Sequence, residues 1–137
     1  MSQRLSVYGL VSGLIGMFVF CGGSAHAQSS NIERGKYLTE EVAHCQVCHT
    51  RHSAGGELDR SAWMKGGVAD VPGSRATKAP DITSGGEIWK AWGETGMSRY
   101  LQIGKDPAGK ASGAHMPLYR LRPDDADAIA RYLTSLK

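Results

Sequence analysis

The stretch Cys45-Gln46-Val47-Cys48-His49 decides the reading of this chain. Two thiols three residues apart share one face of a single helical turn, and an imidazole follows at once. Covalent haem attachment needs this arrangement: each sulfur adds to one vinyl group as a thioether, and the ring of His49 then sits over the iron. Three other readings compete. A thioredoxin-like dithiol belongs in a βαβ setting, whereas here a helical pattern leads into glycine-rich loop. A zinc site needs further ligands, for which His44, His52, His115 and scattered carboxylates are the candidates. A structural disulfide accounts for the two cysteines but not for the histidine.

Toward the N-terminus, Met1-Ser2-Gln3-Arg4 precedes an apolar run from Leu5 to Phe20 and then Gly22-Gly23-Ser24-Ala25-His26-Ala27. A basic start, an apolar core and an Ala-x-Ala ending form the pattern of a secretory signal peptide, cleaved after Ala27. The alternatives are an uncleaved membrane anchor and a lipidated Cys21, the latter disfavoured by bulky Phe20. The expected division is therefore a leader over residues 1–27 and one domain over residues 28–137, exported to the periplasm. Export suits thioether-bound haem, which is attached outside the cytoplasm. With 41% hydrophobic residues, 7% aromatic residues and 18 glycines, a domain of this size has a thin apolar core, a deficit that a bound macrocycle would fill. The formal charge of +3 is too weak to argue for nucleic acid.

Ser30-Asn31-Ile32-Glu33 has the form of a capping box, so a helix is predicted to run from here to about Cys45, with Gly35, Leu38 and Val42 on one face. Glycine in a helix interior costs about 1 kcal/mol against alanine, so Gly35 points to the close approach of another element. From Arg51 to Gly86 no period is sustained, and the stretch is predicted to be loop wrapping a ligand edge. A second helix is predicted to open at Trp92-Gly93-Glu94-Thr95 and stop at Gly104, with Met97, Tyr100 and Leu101 at helical spacing. Pro123 with Asp124, Asp125 and Asp127 starts a last helix whose stripe is Ile129, Tyr132, Leu133 and Leu136. No strand with clean alternation is visible.

An iron held by His49 has a second face, and thioether sulfur there raises the potential where a second imidazole would lower it. Met64, Met97 and Met116 are the candidates, with His44, His52 and His115 as nitrogen rivals. Met97 fits the core face of a helix better, and Met64 lies in the wrapping loop. Met116 is favoured because Pro117 stiffens its segment and the last helix can fix its approach. The carbonyl of Pro80 is a candidate to orient the other ring nitrogen of His49, although the proline also simply turns the loop. Among Trp63, Trp89 and Trp92, the last is the choice for donating an indole hydrogen bond to a haem propionate.

Taken together, these residues resemble a monohaem class I cytochrome c. Glu33-Arg34-Gly35-Lys36-Tyr37-Leu38 ahead of the cysteines is similar to the start of that domain, and Pro80-Asp81-Ile82 is similar to its Pro-Asn-Leu segment, with Asp81 in place of asparagine. Met116-Pro117 with Tyr119, ahead of an acidic-capped last helix, resembles the cytochrome subunits of bacterial alcohol and aldehyde dehydrogenases, which often carry three such domains where this chain has one motif. The resemblance implies an all-α fold of three to five helices around one haem c attached through Cys45 and Cys48, with His49 and Met116 on the iron. It implies that the Pro80 carbonyl aims His49, that Ile82, Trp92 and Tyr100 line the haem, and that Gly35 meets Tyr132 where the first and last helices cross. The implied function is single-electron transfer between redox proteins, such as a dehydrogenase, a terminal oxidase or another cytochrome, with no catalysis of its own and membrane contact only through partners or a retained leader. Lys65, Lys78, Lys90, Lys105 and Lys110 are candidates for a docking rim. A haem enzyme or gas sensor with an open iron position is the competing function.

Overall fold

The computed structural model describes residues 31–70 and 72–137. The expected leader over residues 1–27 and Ser30 of the capping box lie outside them. The first helix, α1, runs over residues 31–37 and continues as a π-helical turn, Leu38–Val42. It ends earlier than the sequence predicted. His44 takes a left-handed conformation (φ 50°, ψ 40°), and the cysteine motif forms a separate short helix, α2, Cys45–His49.

The long stretch predicted as loop is not entirely loop. Strand β1, Lys65–Ala69, pairs antiparallel with β2, Thr77–Asp81, in a register that sets Lys65 opposite Asp81 and Gly67 opposite Ala79. A short 3-10 turn, Arg60–Ala62, leads into β1, with the Asp59 carboxylate accepting from the Ser61 amide at 3.0 Å. The hairpin stands directly on α2. A Cβ on Gly67 would lie 2.5 Å from the carbonyl oxygen of Thr50 and 2.6 Å from that of Cys48, so only glycine permits this contact.

Helix α3 spans Glu87–Ile103, starting before the predicted Trp92. The predicted boundary survives as a kink: Gly93 is non-helical (φ 64°, ψ −174°), and two helical pieces meet there. Gly104 closes α3 in the left-handed conformation, its N–H reaching the Tyr100 carbonyl at 2.7 Å. Helix α4, Pro123–Ser135, has Pro123 in its first turn with Asp124 and Asp125 at the positive end of its dipole, as predicted.

The core lies between α3, α4 and the attachment helix, and its buried cluster contains Cys45, Met64, Ile82, Trp89, Met97, Leu101, Ile129, Tyr132 and Leu133. Helix α1 crosses α4 at Gly35, where a Cβ would lie 2.0 Å from the Ala128 carbonyl oxygen and 2.9 Å from Cβ of Tyr132. The interior glycine is thus explained by the crossing. Arg34 to Asp125 pins the same two helices from outside. Among the described residues no helix is long and apolar enough to cross a membrane.

Candidate haem site

Helix α2 brings the chemistry together. Cys45 is buried, Cys48 is half-buried, and both are free thiols. Burial pushes the Cys45 thiol up to about 11, so it is protonated at neutral pH. No group of three or more histidine, cysteine or acidic side chains suited to a metal ion gathers among the described residues, so neither the zinc nor the disulfide reading gains a contact here.

The His49 ring is buried, at 5% exposure, and its Nδ1 lies 2.7 Å from the Pro80 carbonyl oxygen. A carbonyl can only accept, so Nδ1 carries the proton. Burial lowers the histidine's pKa against the opposing influence of that carbonyl and of Asp81, which keeps the ring neutral. Its Nε2 therefore presents a lone pair, the form in which imidazole binds a metal. Pro80 holds this carbonyl from β2, and β2 is held by β1 on top of α2. The next residues close the floor. Ile82, 8% exposed, donates its N–H to the Met64 carbonyl at 3.0 Å, and Thr50 Oγ1 accepts the Met64 N–H at 3.0 Å.

The three methionines separate clearly. Met64 is fully buried and Met97 is 4% exposed, both as members of the core cluster. Met116 is half-buried at the cluster's edge, in a turn closed by its own N–H to the Gly113 carbonyl at 3.0 Å. Tyr119, three residues on, reaches the attachment helix: its hydroxyl donates to the Ala43 carbonyl at 3.1 Å. Burial, followed by proximity to Cys45 and Cys48, pushes its phenol up to about 12. Sequence reasoning used Tyr119 only as part of a motif and gave it no place at the site. Nothing local in the sequence links it to a carbonyl so far upstream.

The nitrogen rivals are placed elsewhere. His44 and His52 are exposed, and His115 has Nδ1 3.0 Å from Thr77 Oγ1 and Nε2 2.8 Å from Ser74 Oγ. Trp92 and Tyr100 form a tilted ring pair with centroids 5.1 Å apart, both half-buried beside the core. Trp89 is core, and Trp63 donates to Glu40 Oε1 at 3.1 Å beneath the guanidinium of Arg60, 4.0 Å from the ring centroid. Glu40 also accepts from the Tyr132 hydroxyl, which joins α1, α4 and the approach to β1.

Two free thiols one turn apart, a neutral imidazole with Nε2 unprotonated and an apolar floor form a donor set that fits covalent haem. The comparison with known proteins agrees, since the family described as cytochrome c matches residues 32–137. The chain belongs to the cytochrome c family. Members of this family hold haem c through the two cysteines of this motif, and Cys45 and Cys48 occupy those positions in this cytochrome. Its helical framework, with one small two-stranded sheet, is consistent with the cytochrome c fold. The cytochrome is 33% identical over 116 residues to a nicotinate dehydrogenase subunit of Pseudomonas putida, a match covering 80% of this chain and 9% of that protein. It is 37% identical over 106 residues to a diheme cytochrome c-type protein of Cereibacter sphaeroides, covering 74% and 34%. With the fructose dehydrogenase cytochrome subunit of Gluconobacter japonicus it shares 32% over 119 residues, covering 81% and 23%. The chain thus spans between about a tenth and a third of the length of these relatives. Electron transfer, rather than catalysis of its own, is the function that the family assigns.

Proposed function

We propose that this cytochrome is an exported single-haem carrier whose iron is bound by His49 and Met116, passing electrons from a dehydrogenase-type donor to a respiratory acceptor in the periplasm. The observation that carries the reading is the His49 to Pro80 bond, which fixes the imidazole as the tautomer with Nε2 unprotonated. Bound haem c supplies a one-electron iron couple. Cys45 and Cys48 hold it, His49 supplies nitrogen, and Pro80 keeps the ring from turning. Met116 supplies sulfur from a turn that Tyr119 ties back to the residue before His44. Ile82, Trp92 and Tyr100 line the apolar side. A haem held by both residues would leave no position on the iron for a substrate.

The leader pattern of residues 1–27 supports export, and the dehydrogenase relatives support the donor class. Charge supports docking on an acidic partner surface. The segment 99–122 has exposed Arg99, Lys105, Lys110, Arg120 and Arg122 against one acid, Asp106, with Arg122 also paired to Asp124 at 3.5 Å, while the stretches on either side are each close to neutral. Exposed Ile103 and Leu118 lie in the same segment, Leu118 folded over Gly104. Of the lysines considered for a rim, Lys90 is already paired with Glu87 at 2.6 Å.

Replacing Met116 with alanine tests the ligand set. The haem stays attached, the near-red sulfur-to-iron band of the oxidised protein disappears and the midpoint potential falls. High-spin features in the unaltered oxidised protein would instead favour an open iron position, as in a haem enzyme or gas sensor. An unchanged spectrum and potential in M116A would return the choice to Met64 or His115.

A further inference from the structure

We propose that His115 is a positioning residue that ties the Met116 turn to strand β2, so that the two residues that would bind the iron, His49 and Met116, are braced by one strand. The inference depends on Met116 as the sulfur ligand. His115 immediately precedes that methionine, and both of its ring nitrogens are engaged by residues 38 and 41 positions upstream. The direction of the bonds follows from Thr77. Its hydroxyl is directed at the Arg75 carbonyl at 3.2 Å, and a carbonyl can only accept, so Thr77 Oγ1 gives away its one proton there. Nδ1 of His115, 3.0 Å away, must then be the donor to Thr77. In the neutral ring Nε2 becomes the acceptor, and the Ser74 hydroxyl at 2.8 Å is its donor. The Nε2 lone pair is thereby occupied, which separates His115 from its role as a rival ligand.

Thr77 opens β2, and Pro80, whose carbonyl receives the His49 proton, lies near the end of the same five-residue strand. The route from Met116 to His49 is therefore His115, Thr77, β2 and Pro80, with β1 pressing the strand onto α2 through Gly67. Tyr119 supplies the second anchor of the turn, at Ala43. One anchor on each side of Met116 limits how far the sulfur can swing. Without His115, the turn keeps Tyr119 and its local bond to Gly113 but loses its hold on β2.

The experiment titrates the oxidised holo-protein with imidazole, which competes with Met116 for the iron, and follows the near-red band. The wild type shows the band. H115A shows it too in the absence of imidazole, but surrenders it at roughly 5- to 30-fold lower imidazole, the range set by losing one or two ordinary hydrogen bonds. T77V and S74A shift in the same direction by less, and H115Q recovers part of the wild-type affinity. Urea midpoints of the variants stay near the wild type, which a generally weakened fold would not allow. An H115A titration superimposable on a wild type that has the band overturns this inference alone. A wild type without the band overturns it together with the Met116 assignment. A wild-type spectrum that H115A abolishes and M116A leaves intact puts His115 on the iron and overturns the tether.

Discussion

The two sides of the site are built from different materials. On the His49 side, the contacts are mostly backbone: the Pro80 carbonyl on Nδ1, Gly67 against the carbonyls of Cys48 and Thr50, and the Ile82 N–H on the Met64 carbonyl. On the Met116 side the long-range holds nearest the methionine are side chains, His115 to Ser74 and Thr77 and Tyr119 to Ala43, with a backbone bond only further along, from the Leu121 N–H to the Leu101 carbonyl at 3.2 Å. Backbone contacts at van der Waals distance leave no slack, whereas a hydroxyl or imidazole bond can be surrendered for about 1 kcal/mol. On the ligand set proposed above, the difference makes the His49 side a fixed seat and the Met116 side an adjustable latch. Adjustable ligation is also where a potential can be tuned without disturbing the fold.

The largest effect should therefore come from crowding the fixed side. Gly67→Val places a branched side chain where even Cβ would sit 2.5 to 2.8 Å from the atoms of Cys48 and Thr50. The hairpin must lift from α2, taking Pro80 with it. A loss of about 3 kcal/mol is expected by urea unfolding, together with a lower yield of haem-loaded protein. A variant that unfolds within about 1 kcal/mol of wild type and loads haem normally would show that the seat has slack after all.

Much of this comparison could be read ahead of the structure, and the unreadable part has physical reasons. The cysteine motif, the Gly35 crossing and the start of α4 at Pro123 rest on local rules of spacing, close approach and dipole charge, so they appear in the sequence. Strands β1 and β2, with sequences KGGVA and TKAPD, carry no alternating apolar pattern, because β1 is defined by the absence of a side chain at Gly67, where it meets α2. The start of α3 is hidden for a related reason. Gly86 caps it without a side-chain bond, and Gly93 inside it resembles a boundary because it is one between two helical pieces. The hold of His115 on Ser74 and Thr77 joins residues 41 and 38 positions apart, which no local pattern encodes.

A pair of tyrosines divides the two sides more finely. Tyr132 bonds the Glu40 carboxylate, which also takes the Trp63 indole, so it belongs to the scaffold beneath the fixed side. Tyr132→Phe removes a bond to a charged group and is expected to cost about 2 kcal/mol in urea, with the near-red band and the potential little changed. A shifted potential without lost stability would reverse that assignment.

Tyr119→Phe is the smallest and most discriminating change. It deletes one bond to a neutral carbonyl, costs about 1 kcal/mol at most, and should act chiefly on the Met116 turn, lowering the imidazole concentration that displaces the sulfur. Alkaline pH separates the two phenols. Both are pushed up to about 12, by burial first, with Glu40 adding for Tyr132 and the two cysteines for Tyr119. A phenol that keeps its proton longer folded than unfolded contributes stability that is present below about pH 10 and lost as pH climbs toward 12. Thioether formation removes the ionisable thiols, so in the holo-protein Tyr119 keeps only the contribution of burial while Tyr132 keeps both of its own. Stability should thus fall less steeply between pH 10 and 12 in Y132F than in wild type, with Y119F lying between them. A Y119F curve flatter than that of Y132F would mean that the latch, rather than the scaffold, carries the larger alkaline strain.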